Sequence, residues 1–516
     1  MNTFLFQLTN PNTNVSIILP EVMLAITGII VMLFDSFVPK QRHITGIISL
    51  IGIGFAAVLL GLMWSDAPDL AAWNGMVVND NLRLSFSFVF LLVTAMTILI
   101  STVWTEREDV PIGEYHSLLL FATVGMMFMA SGNDLVILFL GLETSSIATY
   151  VMAGLRKTDL RSNESAMKYF ILGSFASAFL LYGMALVYGA TGSTNITEIA
   201  ARVSDPNFPA LLLVGGAMMI IGFGFKVATV PFHVWTPDVY EGAPTPVTAF
   251  MAAGPKTAAF ASFVRVFVLG FPLIAGASAS GYLHESWINA LTIMAMLTMT
   301  VGNIAAIVQN NVKRMLAYSS IAHAGYALVG FIGAGMATTI EKRDAAIASV
   351  AFYMLTYAIT NLGAFAIVTL LAQKNDRRTE FEDYNGIGFK TPVLAFGLSL
   401  FMLSLLGLPL TAGFMGKVLV FRPALEAGST MLTLLVIVAV VNTAISAYYY
   451  LRLVVVMFFR ERTDEWLAPR IPTALAAVLV ITILGVFYFG IFSDRVIERF
   501  SQSPTAIMRV GDAATR

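Results

Sequence analysis

The chain has 516 residues, of which 57% are hydrophobic and 12% charged, with a net charge of −1. Soluble domains carry about 25% charged residues, so half that proportion excludes an ordinary globular protein, and the near-neutral balance offers nothing to nucleic acid. Cysteine is absent, which excludes disulfides, thiolate iron–sulfur ligation and cysteine nucleophiles. The five histidines (His43, His116, His233, His284 and His323) are dispersed without metal-ligand spacing, so no redox centre or metal is expected in the chain.

Residues 1–15 contain no basic residue, and no cleavable signal peptide is expected there. Apolar runs long enough to cross a ~30 Å hydrocarbon core as helices then recur to the C-terminus. They fall at about 16–36, 43–64, 83–104, 115–131, 133–154, 167–190, 208–230, 245–273, 285–308, 313–334, 345–372, 392–421, 430–457 and 472–493. The expected fold is therefore all-α and polytopic: about fourteen transmembrane helices in a single integral domain over 1–516, with a tail of about twenty residues after Ser493. With the N-terminus outside, the inner loops collect most of the basic residues, among them Arg107, Arg156, Lys168, Lys313 and Arg314, as the positive-inside rule requires. The tail and the EKRD turn at 341–344 run against that orientation. GIGFAA at 52–57 fits a dinucleotide-binding pattern in letters only. It lies inside an apolar span with no strand before it, and close helix packing by small residues is the expected use.

Within the spans, charge is rare. Glu143 sits in FLGLETSSIATY, Lys226 in GFGFKVATVPF, Lys256 in MAAGPKTAAF, His323 in AYSSIAHAGY and Lys417 in LGLPLTAGFMGKVLVF. Burying three lysines and a glutamate at membrane depth is unfavourable by on the order of 10 kcal/mol. Near a span end the bland explanations, a structural ion pair or snorkelling, suit Arg265, Arg452, Glu21 and Asp35. They suit Lys226 and Lys417 badly, because apolar sequence extends on both sides. Pro231 follows Lys226 by five residues, and Gly407, Pro409 and Gly413 precede Lys417. Two interrupted helices five spans apart point to an internal repeat with sites near the midplane. Unwound backbone offers groups that hold water, which a buried lysine needs to exchange a proton.

Hydroxyl and amide groups fall at helical spacing nearby: Ser319, His323 and Tyr326; Tyr353, Thr356 and Thr360; Asn442, Ser446 and Tyr449. Such faces glue helices together or line a hydrated path, and three of them flanking the same charges favour the path. Desolvation makes a buried lysine release its proton, and a carboxylate makes it hold on. A lysine whose glutamate partner approaches or retreats is thus a switchable proton holder. The expected sequence is a Glu143–Lys226 switch, Lys256 as its neighbour, then His323 and Lys417.

These residues also carry a family resemblance. FKVATVPFHVWTPDVYEGAPTPVTAF at 225–250, with GLETSSIATYVMAG at 141–154, VKRMLAYSSIAHAGY at 312–326 and LPLTAGFMGK at 408–417, is similar to the antiporter-like membrane subunits of respiratory complex I. The likeness covers nearly the whole chain, and the TPDVYEGAPTPV loop favours the N-type branch of that family. The resemblance implies two inverted five-helix repeats, here 115–273 (helices 4–8) and 285–457 (helices 9–13), with helices 7 and 12 broken. It implies the Glu143–Lys226 pair, Lys256 as central lysine, Lys417 as terminal lysine and His323 as the intervening histidine, while His233, just past the break, is a loop histidine or an intake-side relay. It further implies a bacterial inner-membrane, multi-pass subunit of a proton-translocating NADH:quinone oxidoreductase. NADH, FMN, iron–sulfur clusters and quinone would then be held by other subunits, with other membrane-arm subunits and the bilayer as partners. The alternatives are a subunit of a multisubunit cation/proton antiporter or membrane-bound hydrogenase, a stand-alone secondary solute transporter, which would need a substrate pocket, and a structural spacer, against which the buried lysines speak.

Overall fold

The computed structural model describes residues 14–38, 42–66, 70–108, 110–203, 208–272, 278–462 and 469–501. The signal-peptide expectation for residues 1–13, the predicted end of the first repeat at 273 and the tail beyond Ser501 lie outside the described residues. In chain order the helices are α1 (Leu19–Phe37), α2 (Arg42–Asp66), α3 (Asn81–Arg107), α4 (Ile112–Ser131), α5 (Leu135–Ala153), α6 (Leu160–Thr191) and the short α7 (Ile196–Arg202). They continue as α8 (Pro209–Val227), α9 (Trp235–Gly242), α10 (Thr245–Phe263), α11 (Ser278–Ile307), α12 (Val312–Gly335) and α13 (Ile340–Leu371). After these come α14 (Ile387–Lys390), α15 (Pro392–Leu406), α16 (Ala412–Glu426), α17 (Thr430–Phe459), α18 (Thr473–Ile491) and α19 (Ser493–Ser501).

Among the described residues, thirteen helices are long and apolar enough to cross a membrane, and Pro392–Leu406 is a shorter apolar one. At 1.5 Å per residue, 20 residues cover about 30 Å, so these helices match the hydrocarbon thickness. Several begin where a polar side chain caps them: Asp80 accepts from Arg83 N at 2.9 Å, Asp134 from Val136 N at 2.8 Å and Asn311 from Arg314 N at 3.1 Å. Capping also explains a boundary the hydropathy pattern misplaced. Asp159 accepts from Arg161 N at 3.0 Å, so α6 starts at Leu160 and its polar first turns are helical, not loop.

One small non-helical element accompanies the helices. Leu70–Ala72 (β1) and Val77–Asn79 (β2) form an antiparallel hairpin with Leu70 opposite Asn79. Trp73, Asn74 and Gly75 turn it with φ of 50°, 54° and 81°, which the Asn-Gly pair tolerates. Asn133 and Asn195 both donate to Gly75 O, at 3.0 and 3.2 Å.

Burial ranks the helices. The apolar windows of α10, α12 and α13 are 94%, 94% and 100% buried, against 28% for α2 and 33% for α17 and α18, so the first three form the centre and the others the rim. α13 packs against α10, α12, α16, α3, α15 and α18. Small residues let the helices approach closely. A side chain at Gly52 of GIGFAA would meet Thr27 of α1 at 2.4 Å, which leaves no room for a nucleotide.

Both ends are fastened by charge. At the end carrying the hairpin, Arg265 Nη2 and Nη1 donate to Asp80 at 2.7 and 3.0 Å, and Arg83 Nη2 donates to both Glu21 oxygens at 2.8 and 3.0 Å. All four side chains are 0–1% exposed, so Arg265 and Glu21 are structural pairs, one of the two bland outcomes. Arg265 lies in the π-helical turn Val264–Leu269 that continues α10. At the opposite end Asp376 lies 3.2 Å from Lys313, 3.3 Å from Arg156 and 3.8 Å from Arg107, and accepts from Thr245 N at 3.1 Å. Burial pushes the Asp376 carboxyl up, but Lys313 and Arg156 outweigh it and hold the group below the usual carboxylate range. Arg452 caps α11, donating to Gln309 O at 2.9 Å and Asn310 Oδ1 at 2.8 Å.

Removing one partner of a fully buried pair leaves an uncompensated charge and destabilises by about 3–5 kcal/mol, whereas replacing both with apolar groups is near neutral. Asp80→Ala or Arg265→Met alone is therefore expected to lower the thermal unfolding midpoint of the purified protein by several degrees. The Asp80→Leu/Arg265→Met double variant should recover most of that loss in the same melt.

Candidate functional site

The cations identified in the sequence sit where the helices are broken or nearly fully enclosed. α8 ends because Ala228 turns left-handed (φ 63°) three residues before Pro231, which has no N–H to continue a helix. The freed backbone is taken up locally: Thr229 N bonds Gly224 O at 2.8 Å, Val230 N bonds Thr298 Oγ1 at 2.9 Å, and Trp235 Nε1 bonds Phe225 O at 3.0 Å. Lys226, in the last turn of α8, points its Nζ at α5, donating to Ser146 Oγ at 2.7 Å and Tyr150 OH at 3.0 Å.

Glu143 does not touch it. Its Oε1 accepts from Ser177 Oγ of α6 at 2.5 Å, and no Glu143–Lys226 contact within 4.0 Å exists among the described residues. The expected ion pair is thus open. Two of the three ammonium N–H groups go to Ser146, one turn along α5 from Glu143, and to Tyr150, and Ser146 spends its own proton on Leu142 O at 2.5 Å. The two charges act on each other across a helical turn without a shared hydrogen bond.

Lys256, 2% exposed on α10, donates to Ser320 O of α12 at 2.8 Å and to Ser320 Oγ. The hydroxyls of Tyr240 and Tyr357 also face Ser320. One turn along α12, His323 is bracketed by phenols: Nδ1 lies 2.7 Å from Tyr353 OH and Nε2 3.2 Å from Tyr450 OH. Tyr450 OH is in turn 2.5 Å from Ser319 Oγ. The result is a hydrogen-bonded string, Ser319–Tyr450–His323–Tyr353, whose two inner members, Tyr450 and His323, each bond on both sides.

Lys417 stands past the second break. α15 stops at Gly407, which takes φ 95°, a conformation glycine adopts without strain. Lys417 Nζ donates to Leu406 O at 2.9 Å and lies 4.6 Å from the Tyr326 ring centroid. It therefore rests at the negative C-terminal end of α15 and on an aromatic face. His233 occupies the first break, and its Nδ1 is buried without a hydrogen-bond partner among the described residues.

The sequence missed the neutral partners. Glu143, Ser146 and Tyr150 fall at i, i+3 and i+7, so the helical spacing that picked out Ser319, His323 and Tyr326 could have found the Lys226 acceptors. Ser320 and Tyr450 carry no such signal, each lying one position off the expected faces. The face Asn442–Ser446–Tyr449 is tied up as glue. Tyr449 OH donates to Asn303 Oδ1 at 2.9 Å, Asn303 Nδ2 donates to Tyr326 OH at 3.1 Å and Asn442 Oδ1 at 3.3 Å, and Ser446 bonds its own helix at 2.6 Å.

Broken helices, a half-buried lysine and a buried one on either side of an enclosed centre, and a hydroxyl–imidazole string between them define an antiporter-like polytopic membrane protein. The family described as NADH:quinone oxidoreductase/Mrp antiporter, TM, matches residues 132–446. The chain is 44% identical over 498 residues to NADH-quinone oxidoreductase subunit N of Trichlorobacter lovleyi, covering 95% of this chain and 97% of that one. It is also similar to a chain of respiratory complex I from Thermus thermophilus with bound Aureothin, at a TM-score of 0.77 and 34% identity, covering 94% of this chain and all of that one. A chain of the Mrp complex from Dietzia sp. shares the fold, with a TM-score of 0.80 at 19% identity over 96% of this chain. The chain belongs to the NADH:quinone oxidoreductase/Mrp antiporter family, within its subunit N group.

Gly407 is needed twice. A Cβ there would be held at positive φ and would lie 3.3 Å from Lys417 Cδ, whereas a Cβ at Gly428, at φ 68°, would meet nothing within 4 Å among the described residues. The left-handed conformation alone disfavours alanine by roughly 1–2 kcal/mol. Both Gly407→Ala and Gly428→Ala should lower the melting midpoint, but only Gly407→Ala should also slow proton movement in reconstituted vesicles.

Proposed function

We propose that this chain is the proton-translocating N subunit of the membrane arm of a bacterial NADH:quinone oxidoreductase, set in the inner membrane beside other membrane-arm subunits. NADH oxidation through FMN, iron–sulfur clusters and quinone takes place in those other subunits, and this chain carries protons. Glu143, Lys226, Lys256, His323 and Lys417 form the relay, and His233 serves it from the intake side. They are distributed over two inverted five-helix repeats, 115–273 and 285–457, whose broken members are α8/α9 and α15/α16.

The observation that carries this reading is the choice of partners. Among the described residues, Lys226, Lys256 and Lys417 all donate to hydroxyls or backbone carbonyls, not to carboxylates. A lysine locked to a carboxylate keeps its proton, while one on neutral acceptors in a desolvated site gives it up readily. The mechanism follows from that poise. Glu143 bound to Ser177 leaves Lys226 without its counter-charge, and the Lys226 ammonium then disfavours a second ammonium on Lys256. The proton from Lys256 passes by Ser320 and the Ser319–Tyr450–His323–Tyr353 string towards Lys417. When Glu143 swings to Lys226, the repulsion is cancelled and Lys256 reloads.

Positioned proton donors contribute about 10²–10⁴-fold to transfer rates. In vesicles holding the whole complex, Lys256→Ala should lower NADH-driven proton uptake by at least tenfold, with Lys256→Arg only partly active. Glu143→Gln should uncouple the switch while leaving assembly intact. Proton uptake at the unaltered rate in assembled Lys256→Ala complexes would remove Lys256 from the relay.

A further inference from the structure

α9 is the second half of the first broken helix, eight residues from Trp235 to Gly242, and it touches both lysine sites. At its start the Trp235 ring is stacked between Tyr169 of α6 (4.5 Å, 6° between planes) and Phe225 (5.0 Å), the residue next to Lys226. Near its end Tyr240, 1% exposed, turns its hydroxyl towards Ser320, which holds Lys256. Midway, Asp238 is gripped from two sides: Lys168 Nζ of α6 lies 2.7 Å from Oδ2, and Arg314 Nη1 of α12 lies 2.7 Å from Oδ1. Arg314 Nη1 also reaches Glu241 at 2.9 Å, and Lys168 reaches Glu164 at 2.7 Å. These groups line a water-accessible cavity of about 230 Å³ at the basic end of the bundle.

We propose that Lys168, Asp238 and Arg314 form an ionic clasp that seats α9 between the two lysine sites, with Asp238 as a positioning residue for proton transfer from Lys226 to Lys256. The proposal rests on the proton-carrying function given above. α9 is too short to hold its place by length, and its anchors come from opposite halves of the chain, α6 before it and α12 after it. Asp238 is the only residue of α9 bonded to both in an ion pair among the described residues. The clasp is half-open to water, with Lys168 40%, Asp238 36% and Arg314 29% exposed. Pairs of that exposure add little to stability, so the clasp tunes position and not folding. Burial pushes the Asp238 carboxyl up, and hydrogen bonds from Lys168 and Arg314 outweigh it, so the clasp stays charged at neutral pH. A 1 Å misplacement of reacting groups slows a reaction by up to about 10²-fold, and α9 carries the contacts that set both ends of the transfer.

The test uses the whole complex in proteoliposomes, with proton uptake and NADH oxidation read together. If the unaltered complex takes up no protons, the function proposed above fails and the clasp has nothing to position. Given uptake, Asp238→Asn is expected to slow it by about tenfold at unchanged assembly and melting midpoint, and Asp238→Glu to restore most of it. Raising KCl to about 1 M, where the Debye length is ~3 Å, should bring the unaltered complex down towards Asp238→Asn, which should itself respond little. Should Asp238→Asn fail to assemble, Lys168→Gln on the rim and the KCl series on the unaltered complex carry the decision. Full uptake in assembled Asp238→Asn or Lys168→Gln, or uptake indifferent to KCl in the unaltered complex, overturns the clasp.

Discussion

Everything in this bundle answers to one constraint: an ammonium group inside hydrocarbon must be given acceptors by the protein, because water and lipid supply none there. Lys226, Lys256 and Lys417 meet it with hydroxyls and carbonyls, while the arginines of the hairpin end meet it with carboxylates. That difference divides the buried charges into two populations. Carboxylate-paired cations, the guanidinium groups and Lys313, are fixed and join helices. The lysines Lys226, Lys256 and Lys417 rest on neutral acceptors instead.

The architecture follows from the acceptors. Lys226 needs Ser146 and Tyr150 from α5 and Lys256 needs Ser320 from α12, while Lys417 needs the carbonyl that α15 exposes by stopping. Each requirement binds a helix from elsewhere in the chain, so the breaks and crossings that assemble the site also produce the enclosed trio α10, α12 and α13. The rim helices α2, α17 and α18 carry none of Glu143, Lys226, Lys256, His323 and Lys417 and are the least buried of the described spans. α17 is a partial exception, since it lends Tyr450 to the string around His323.

Much of this was legible in the sequence, for identifiable reasons. Hydrophobic runs located the spans, because a segment crossing lipid must be apolar throughout. Charges within those runs located Glu143, Lys226, Lys256, His323 and Lys417, because apolar context makes a single polar residue conspicuous. Pro231 and Gly407 marked the breaks, since the backbone cannot stay helical through them. What escaped was pairwise: Glu143 and Lys226 share the neighbourhood but not a bond, and the partner of Lys256 is a serine one position away from the face that helical spacing singled out. Hydroxyls are common in membrane helices and bond their own backbone, so a particular serine gains meaning only when another helix is laid against it. Asp376 escaped for a related reason: in a polar loop a carboxylate attracts no notice until Lys313, Arg156 and Arg107 are found around it. The hairpin at 70–79 was too short for a periodicity search, although its Asn-Gly turn was in view.

The pairing at the hairpin end bears on how the chain is made. Asp80 and its guanidinium partner Arg265 are 185 positions apart, so during synthesis the carboxylate leaves the ribosome long before anything can neutralise it. Half a dozen helices must enter the bilayer in the meantime, with that anion waiting at the edge of α3. At the end of its span that carboxylate can stay in water, and it becomes buried only when α3 and the turn carrying Arg265 dock. Biogenesis is thereby given an order that the finished molecule no longer displays.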